Sequence, residues 1–206
     1  MELGYDAGGH IRVCRSYPWK QFLISPDDIR IGTSSWAKGS SNFVRASLIA
    51  KNSGLSVLLA DVHEKDSPMV EWCAENRIAI QPMLFPFCDY ASPLFNTVVD
   101  RKANLLELYE NFIVPDKRPT YERDAVLVEP HAKSLVYVIA TKPEDHVAKL
   151  EDLKNWSAQI PGKQAITNGE KLYIHLVKYR RLFTNVDFCF CDEKDLCGTI
   201  CKILMI

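Results

Sequence analysis

The feature that most constrains this chain is a short segment that joins a strand pattern to a helix pattern. Residues 29–41 read Ile-Arg-Ile-Gly-Thr-Ser-Ser-Trp-Ala-Lys-Gly-Ser-Ser. A helical pattern follows to Gly54, and the apolar run 55–60 then leads to Asp61. Strand, loop with lysine and hydroxyls, helix, and strand ending in an acid is the order in which a phosphate-binding loop holds a nucleotide and Mg²⁺. The segment therefore predicts a nucleotide phosphate site.

Five residues of the loop are the candidate ligands. Lys38 would neutralise phosphate charge, and Gly32 and Gly39 would let the backbone approach the anion. Ser40 or Ser41 would supply a hydroxyl to Mg²⁺. Other positions that such loops fill with glycine hold serine or alanine, for which a left-handed backbone costs about 1–2 kcal/mol. The alternative is a plain turn before a helix that a serine caps.

Strand and helix patterns alternate along the chain. Strands are predicted at 11–15, 20–24, 29–34, 55–60, 78–83, 125–128, 135–140 and 172–177. Helices are predicted at 41–53, 66–76, 94–114 and 143–160. This alternation predicts a three-layer α/β fold, P-loop NTPase-like or Rossmann-like, with a mainly parallel sheet. We expect one domain over residues 1–206, with an N-terminal extension or hairpin (1–28), a core (29–181) and a cysteine-bearing tail (182–206).

Two longer stretches extend the pattern. Residues 38–61 precede a helix pattern that contains Trp72, and residues 124–130 read as a second strand that ends in an acid. Together they resemble the ParA/MinD family of P-loop ATPases, over about two-thirds of the chain. The resemblance implies that ATP and Mg²⁺ bind at the loop, that Asp61 orients water and that Glu129 lies near the metal.

The resemblance also implies a function. Such a protein would act as a nucleotide-binding switch or positioning factor. Thr33 stands where the family has an extra signature lysine, and His63 replaces the family's second acid. The chain would therefore be either an ATP hydrolase or a pseudo-ATPase that binds ATP without turnover. The alternative is a non-catalytic scaffold that keeps the fold without nucleotide, with a protein partner or a second copy expected in each case.

Composition and charge add further expectations. The formal net charge of −1 gives no bulk electrostatic signal for a nucleic-acid partner. The N-terminus lacks the pattern of a signal peptide, and no apolar run approaches the length of a membrane span. We therefore expect a cytoplasmic protein.

The tail concentrates four of the seven cysteines. Cys189, Cys191, Cys197 and Cys201 could supply thiolates to zinc or to an iron–sulfur cluster. Their spacing, C-x-C-x5-C-x3-C, differs from the paired C-x2-C elements that bind zinc well. The interpretation we favour is a strand with small free thiols, and the metal site is the alternative.

Overall fold

The computed structural model describes most of the chain from residue 56 onward and three short strands before it. The described residues are 3–5, 11–13, 22–24, 56–64, 68–85, 87–93, 96–114, 121, 124–126, 128, 132, 134–162 and 165–206. The chain divides into two compact units. The first comprises Met1–Pro86, Ala91–Leu94 and Ile206, and the second comprises Phe87–Tyr90 and Phe95–Met205.

The described chain contains nine strands and four α-helices. The strands are β1 (Leu3–Tyr5), β2 (Ile11–Val13), β3 (Phe22–Ile24), β4 (Val57–Asp61), β5 (Ala79–Met83), β6 (Tyr90–Ala91), β7 (Thr97–Lys102), β8 (Ser134–Thr141) and β9 (Val186–Asp192). The helices are α1 (Pro68–Glu75), α2 (Leu105–Ile113), α3 (Gly169–Leu182) and α4 (Leu196–Ile203). Residues 121, 124–126 and 128 are also helical.

The first unit contains two kinds of strand pairing. β1, β2 and β3 form an antiparallel sheet. β4 and β5 pair in parallel, and α1 lies between them in sequence. Every residue of β4 is buried, as expected for a strand that is covered on both faces. α1 begins at Pro68, which suits the first helical turn because that position needs no backbone N–H.

The second unit is built on three parallel strands. β7 pairs with β8 and β8 pairs with β9, so that Asp100, Tyr137 and Phe188 occupy equivalent positions on the three strands. α2 starts directly after β7, and the Asn104 side chain caps it by accepting a 2.8 Å hydrogen bond from the Glu107 N–H. This cap fixes where the strand ends and the helix begins.

Several sequence-based expectations are confirmed in type and place. The strands predicted at 55–60, 78–83 and 135–140 correspond to β4, β5 and β8, and the helix predicted at 66–76 corresponds to α1. The α/β class with mainly parallel strand pairing is confirmed as well. The strand at 29–34 and the helix at 41–53 lie outside the described residues. The single domain over 1–206 and its three layers stay predictions.

Four elements were assigned wrongly. The helix predicted at 94–114 is strand β7 followed by α2, and the strand predicted at 172–177 lies within α3. Residues 124–126 are helical rather than part of a strand. The helix predicted at 143–160 is a pair of short 3₁₀ turns, Pro143–Asp145 and Leu150–Asn155. Short apolar runs caused two of these errors because they fit a buried strand and the buried side of a helix equally well.

The tail is more regular than the sequence indicated, since it contains β9 and α4. Within the described part of the chain, no helix is long and apolar enough to cross a membrane.

Gly169, the first residue of α3, provides a test of the packing. A Cβ atom there would overlap the carbonyl oxygens of Leu153 and Trp156. Gly169→Ala should therefore destabilise the protein by about 1–3 kcal/mol, although alanine is the better helix former. Urea unfolding measures the change, with Glu170→Ala at the next, exposed position as the control. A Gly169→Ala variant as stable as that control would contradict the described packing.

Candidate active site

A buried ion pair lies on one face of β7. Side chains two residues apart on a strand point to the same side, and Asp100 and Lys102 have this spacing. The Asp100 side chain forms an ion pair through Oδ1 with Lys102 Nζ. The two residues are only 7% and 5% exposed. In the strand register, Asp100 lies beside Tyr137 and Lys102 lies beside Ile139 of β8.

A second carboxylate lies beside the same strand. The backbone N–H of Asp89 donates to the carbonyl of Val99 at 2.9 Å. In return, the Arg101 N–H donates to Asp89 Oδ2 at 2.7 Å. Asp89 is half-buried, and these two bonds fix its carboxylate next to the backbone that carries Asp100. The second unit thus brings two acids and one lysine together.

Aromatic rings surround the lysine. Lys102 Nζ lies 4.9 Å from the ring centroid of Tyr121 and 5.7 Å from that of Tyr137, so both rings are within cation–π range. Phe112 of α2 packs against both tyrosines, at 5.0 and 5.3 Å between ring centroids. The Tyr179 O–H of α3 donates to the carbonyl of Tyr121 at 2.6 Å. These contacts hold the rings in place around the ammonium group.

The electrostatics keep Lys102 charged. Burial alone would lower the pKa of Lys102, but Asp100, Tyr121 and Asp89 outweigh it and hold that pKa above its ordinary value. Burial raises the pKa of Tyr121 to about 12, although Lys102 partly offsets the effect. The pKa of Tyr137 is also raised well above its ordinary value, mainly by burial and then by Asp100. At neutral pH the site therefore has one cation and two neutral phenols, and Lys102 cannot act as a base.

The chemistry of the two carboxylates fits a divalent cation. Mg²⁺ prefers oxygen ligands, and proteins commonly bind it through one or two carboxylates, with water and substrate phosphates completing the shell. Among the described residues, no group of three or more His, Cys, Asp and Glu side chains could hold a metal. Asp89 and Asp100 are the two carboxylates that the described site offers to such an ion.

Asp61, which the sequence pointed to, has a local structural role. It ends β4, and its Oδ1 accepts from the His63 N–H at 2.9 Å while Oδ2 accepts from the Phe85 N–H at 2.7 Å. Its carboxylate thus binds two backbone amides of the first unit. The phosphate-loop candidates Gly32, Lys38, Gly39, Ser40 and Ser41, together with Glu129, lie outside the described residues.

The four tail cysteines occupy two elements. Cys189 and Cys191 are on β9, and Cys197 and Cys201 are on α4. Burial and then Asp187 raise the pKa of Cys189, and burial raises that of Cys191 to about 11 despite a hydrogen bond from Thr199. A raised thiol pKa disfavours the thiolate form that binds metals. The zinc or iron–sulfur alternative is untested and stays a prediction.

The fold is similar to that of two solved structures, whereas the sequence comparisons found no match. No family model matches the sequence, and no curated protein is significantly similar to it. Two solved structures of XPF from Aeropyrum pernix, one of them a complex with DNA, match with a TM-score of 0.51 at 15% identity. The matches cover 73% and 72% of this chain, and 64% and 63% of the XPF chains. The chain thus spans slightly less than two-thirds of those proteins, and the likeness is one of fold.

These matches correct the functional expectations. The resemblance to ParA/MinD ATPases is wrong, and so is the nucleotide-binding switch derived from it, because the fold matches two XPF structures instead. The non-catalytic scaffold alternative has no support. The expectation of no nucleic-acid signal is also wrong, since one neighbour is in complex with DNA. The role predicted for Asp61 stays a prediction.

Sequence reasoning missed Asp89, Asp100 and Lys102 altogether. Assigning 94–114 to one helix hid the relation between Asp100 and Lys102, because residues two apart on a helix do not face each other. The available signal was the apolar pair Val98 and Val99 directly before Asp-Arg-Lys, which is typical of a buried strand that ends in polar residues.

A double-mutant cycle tests the buried pair. Asp100→Asn and Lys102→Met should each cost about 3–5 kcal/mol because each leaves an uncompensated buried group, and the double variant should lose less than their sum. Urea unfolding of the four proteins gives the coupling energy. The exposed pair Arg180–Asp187, at 3.3 Å, is the control and should show about 0–1 kcal/mol. A coupling energy between Asp100 and Lys102 that is no larger than the coupling energy of the control pair would contradict the buried ion pair.

Alkaline pH should weaken the fold through Tyr121. Its folded pKa of about 12 exceeds the unfolded value of about 10, so its stabilising contribution is complete below pH 10 and is lost as the pH rises to 12. Lys102, whose folded pKa is also raised, acts in the same direction. Urea unfolding between pH 8 and 12 should therefore show that the free energy of unfolding declines above pH 10. The Tyr121→Phe variant should show a smaller decline. Identical pH profiles for the two proteins would contradict the assigned environment.

Proposed function

We propose that this chain hydrolyses phosphodiester bonds in DNA with a divalent metal ion, using Asp89, Asp100 and Lys102. The observation that carries the proposal is the convergence of two carboxylates and one protonated lysine on β7 and the residues before β6. The fold shared with an XPF structure in complex with DNA supports DNA as the substrate.

Each residue has a distinct part in the proposed reaction. Asp89 and Asp100 would hold Mg²⁺, which when bound supplies Lewis-acid stabilisation of the charge that develops on the phosphate. Lys102, which stays protonated, would neutralise a phosphate oxygen and would not take a proton from water. Tyr121 and Tyr137 keep the ammonium group oriented through their ring faces. Because Lys102 already pairs with Asp100, a metal ion would have to compete with the ammonium group for that carboxylate.

We also propose that helices cover both faces of the parallel strands β7, β8 and β9. Phe112 of α2 packs on the Tyr137 side of β8, and α4 also contacts β8 and β9. Such a layered core would hold β7 rigid while its final residues act on substrate.

Asp89→Asn is the most direct test of the proposal. Asparagine keeps an oxygen that can accept from the Arg101 N–H, so the fold should persist while the negative charge is lost. We expect wild type to cleave DNA with Mg²⁺ and the variant to be at least about 100-fold slower, a loss of the size seen when metal or transition-state contacts are removed. Labelled single-stranded, duplex and branched DNA, resolved by gel electrophoresis, provide the readout.

The control applies the same substitution to an exposed carboxylate. Asp187→Asn on β9 should cleave at the wild-type rate, since Asp187 is about half exposed and pairs with Arg180. Wild type that cleaves none of the DNA forms with Mg²⁺, or an Asp89→Asn variant as active as Asp187→Asn, would show the proposal to be wrong.

A further inference from the structure

The outer side of α3 carries a row of cations. Lys171, Lys178 and Arg181 are all exposed, and we call them the cationic stripe. At 3.6 residues per turn these three positions lie within about 80° of one another around the helix. They extend over about 15 Å of helix length, at 1.5 Å per residue. His175, which is half-buried, lies between the stripe and the buried side of the helix.

The stripe faces away from the packed side of the helix. Leu172, Leu176 and Tyr179 are buried. The centre of that buried side lies about 140° from the centre of the stripe around the helix axis. The stripe is therefore not needed to attach α3 to the rest of the second unit.

The charge of the stripe is not neutralised within the described part of the chain. Arg180, at a different angle on α3, pairs with Asp187 at 3.3 Å. None of the three stripe residues forms an ion pair with another described residue. α3 contains four Lys and Arg residues and a single acid, Glu170, whereas the whole chain has a formal net charge of −1. The positive charge is thus local.

The inner side of the same helix belongs to the candidate active site. The Tyr179 O–H donates to the Tyr121 carbonyl at 2.6 Å and lies 3.5 Å from the Tyr137 hydroxyl. Tyr121 and Tyr137 are the rings around Lys102. A helix with its side chains is about 10–12 Å across, so the stripe lies about one helix width from Tyr179. The cationic stripe and the candidate active site thus lie on different sides of one helix.

We propose that the cationic stripe binds the phosphate backbone of DNA outside the cleavage site. The choice of DNA rests on the proposed function. The three cations of the stripe, unpaired among the described residues, are complementary to a polyanion. Duplex DNA carries one negative charge per about 1.7 Å of its axis, so a 15 Å stripe spans enough phosphates for all three cations. Such contacts position DNA without reading its sequence.

An anionic membrane is the competing occupant. Ile174 and Leu182 are 45% and 75% exposed, and they lie on the same side as the stripe. Helices that lie on membranes, however, present a broad apolar face to the lipid, and the apolar face of α3 is buried in the protein. DNA is therefore the partner that we propose.

Matched triple variants test the stripe. Lys171→Ala, Lys178→Ala and Arg181→Ala together remove it, and Arg180→Ala, Lys194→Ala and Lys202→Ala remove the same charge from other exposed positions. Fluorescence anisotropy with a labelled duplex, in EDTA to prevent cleavage, gives affinity across a salt series. The stripe variant should bind at least about 10-fold more weakly at low salt. The slope of log K against log salt concentration should be less steep by about 2–3. The control triple should change affinity less than 2-fold.

The outcomes separate this inference from the proposed function. An equal loss of duplex affinity in both triple variants, or no loss in the stripe variant, would overturn the inference. Neither result would affect the proposal that Asp89 and Asp100 take part in cleavage. Wild type that binds duplex through the stripe but never cleaves would uphold the inference and refute the proposed function. Binding to phosphatidylserine vesicles without binding to the duplex would assign the stripe to membranes and overturn the inference.

Discussion

The second unit depends on a charged pair that its interior must accommodate. Moving an ammonium and a carboxylate out of water costs several kcal/mol for each ion, and a hydrophobic pair of similar size would often be equally or more stable there. The surroundings of Asp100 and Lys102 reduce this cost, since two tyrosine faces contact the ammonium and Asp89 adds a second negative charge nearby. The intact pair therefore adds little net stability relative to a hydrophobic pair, whereas the loss of either partner alone leaves the other buried and uncompensated.

The aromatic groups around the pair come from separate elements, so the site depends on how those elements pack together. Phe112 belongs to α2, Tyr137 to β8, Tyr179 to α3 and Phe188 to β9. Phe112 contacts the other three, with ring centroids 5.1–5.8 Å apart. Tyr121 joins this cluster through its stacking on Phe112 and its bond from Tyr179. A change in any of these elements would therefore move the groups that orient Lys102.

The sequence predicted the strands that consist of continuous apolar runs. β4 and β8 are long apolar runs, and a strand covered on both faces has that composition. β7 was hidden because its apolar part is only Val98 and Val99 before the polar residues begin, and α2 follows after two residues. The site could not be predicted, because Asp89 is bonded to the backbone on either side of Asp100, at Val99 and Arg101, and no local sequence pattern records that pairing.

Net charge failed as a guide to partners for a related reason. The whole chain sums to −1, yet α3 has a strong excess of cations and the site's lysine is neutralised by its own acid. Electrostatic attraction of a polyanion depends on charges within about one Debye length, which is about 8 Å at physiological ionic strength, and not on the sum over the chain. Acids farther than this from α3 lower the total charge with little effect on the field at the helix. A near-neutral chain of this kind can therefore present a phosphate-binding surface, and its charge must be assessed helix by helix.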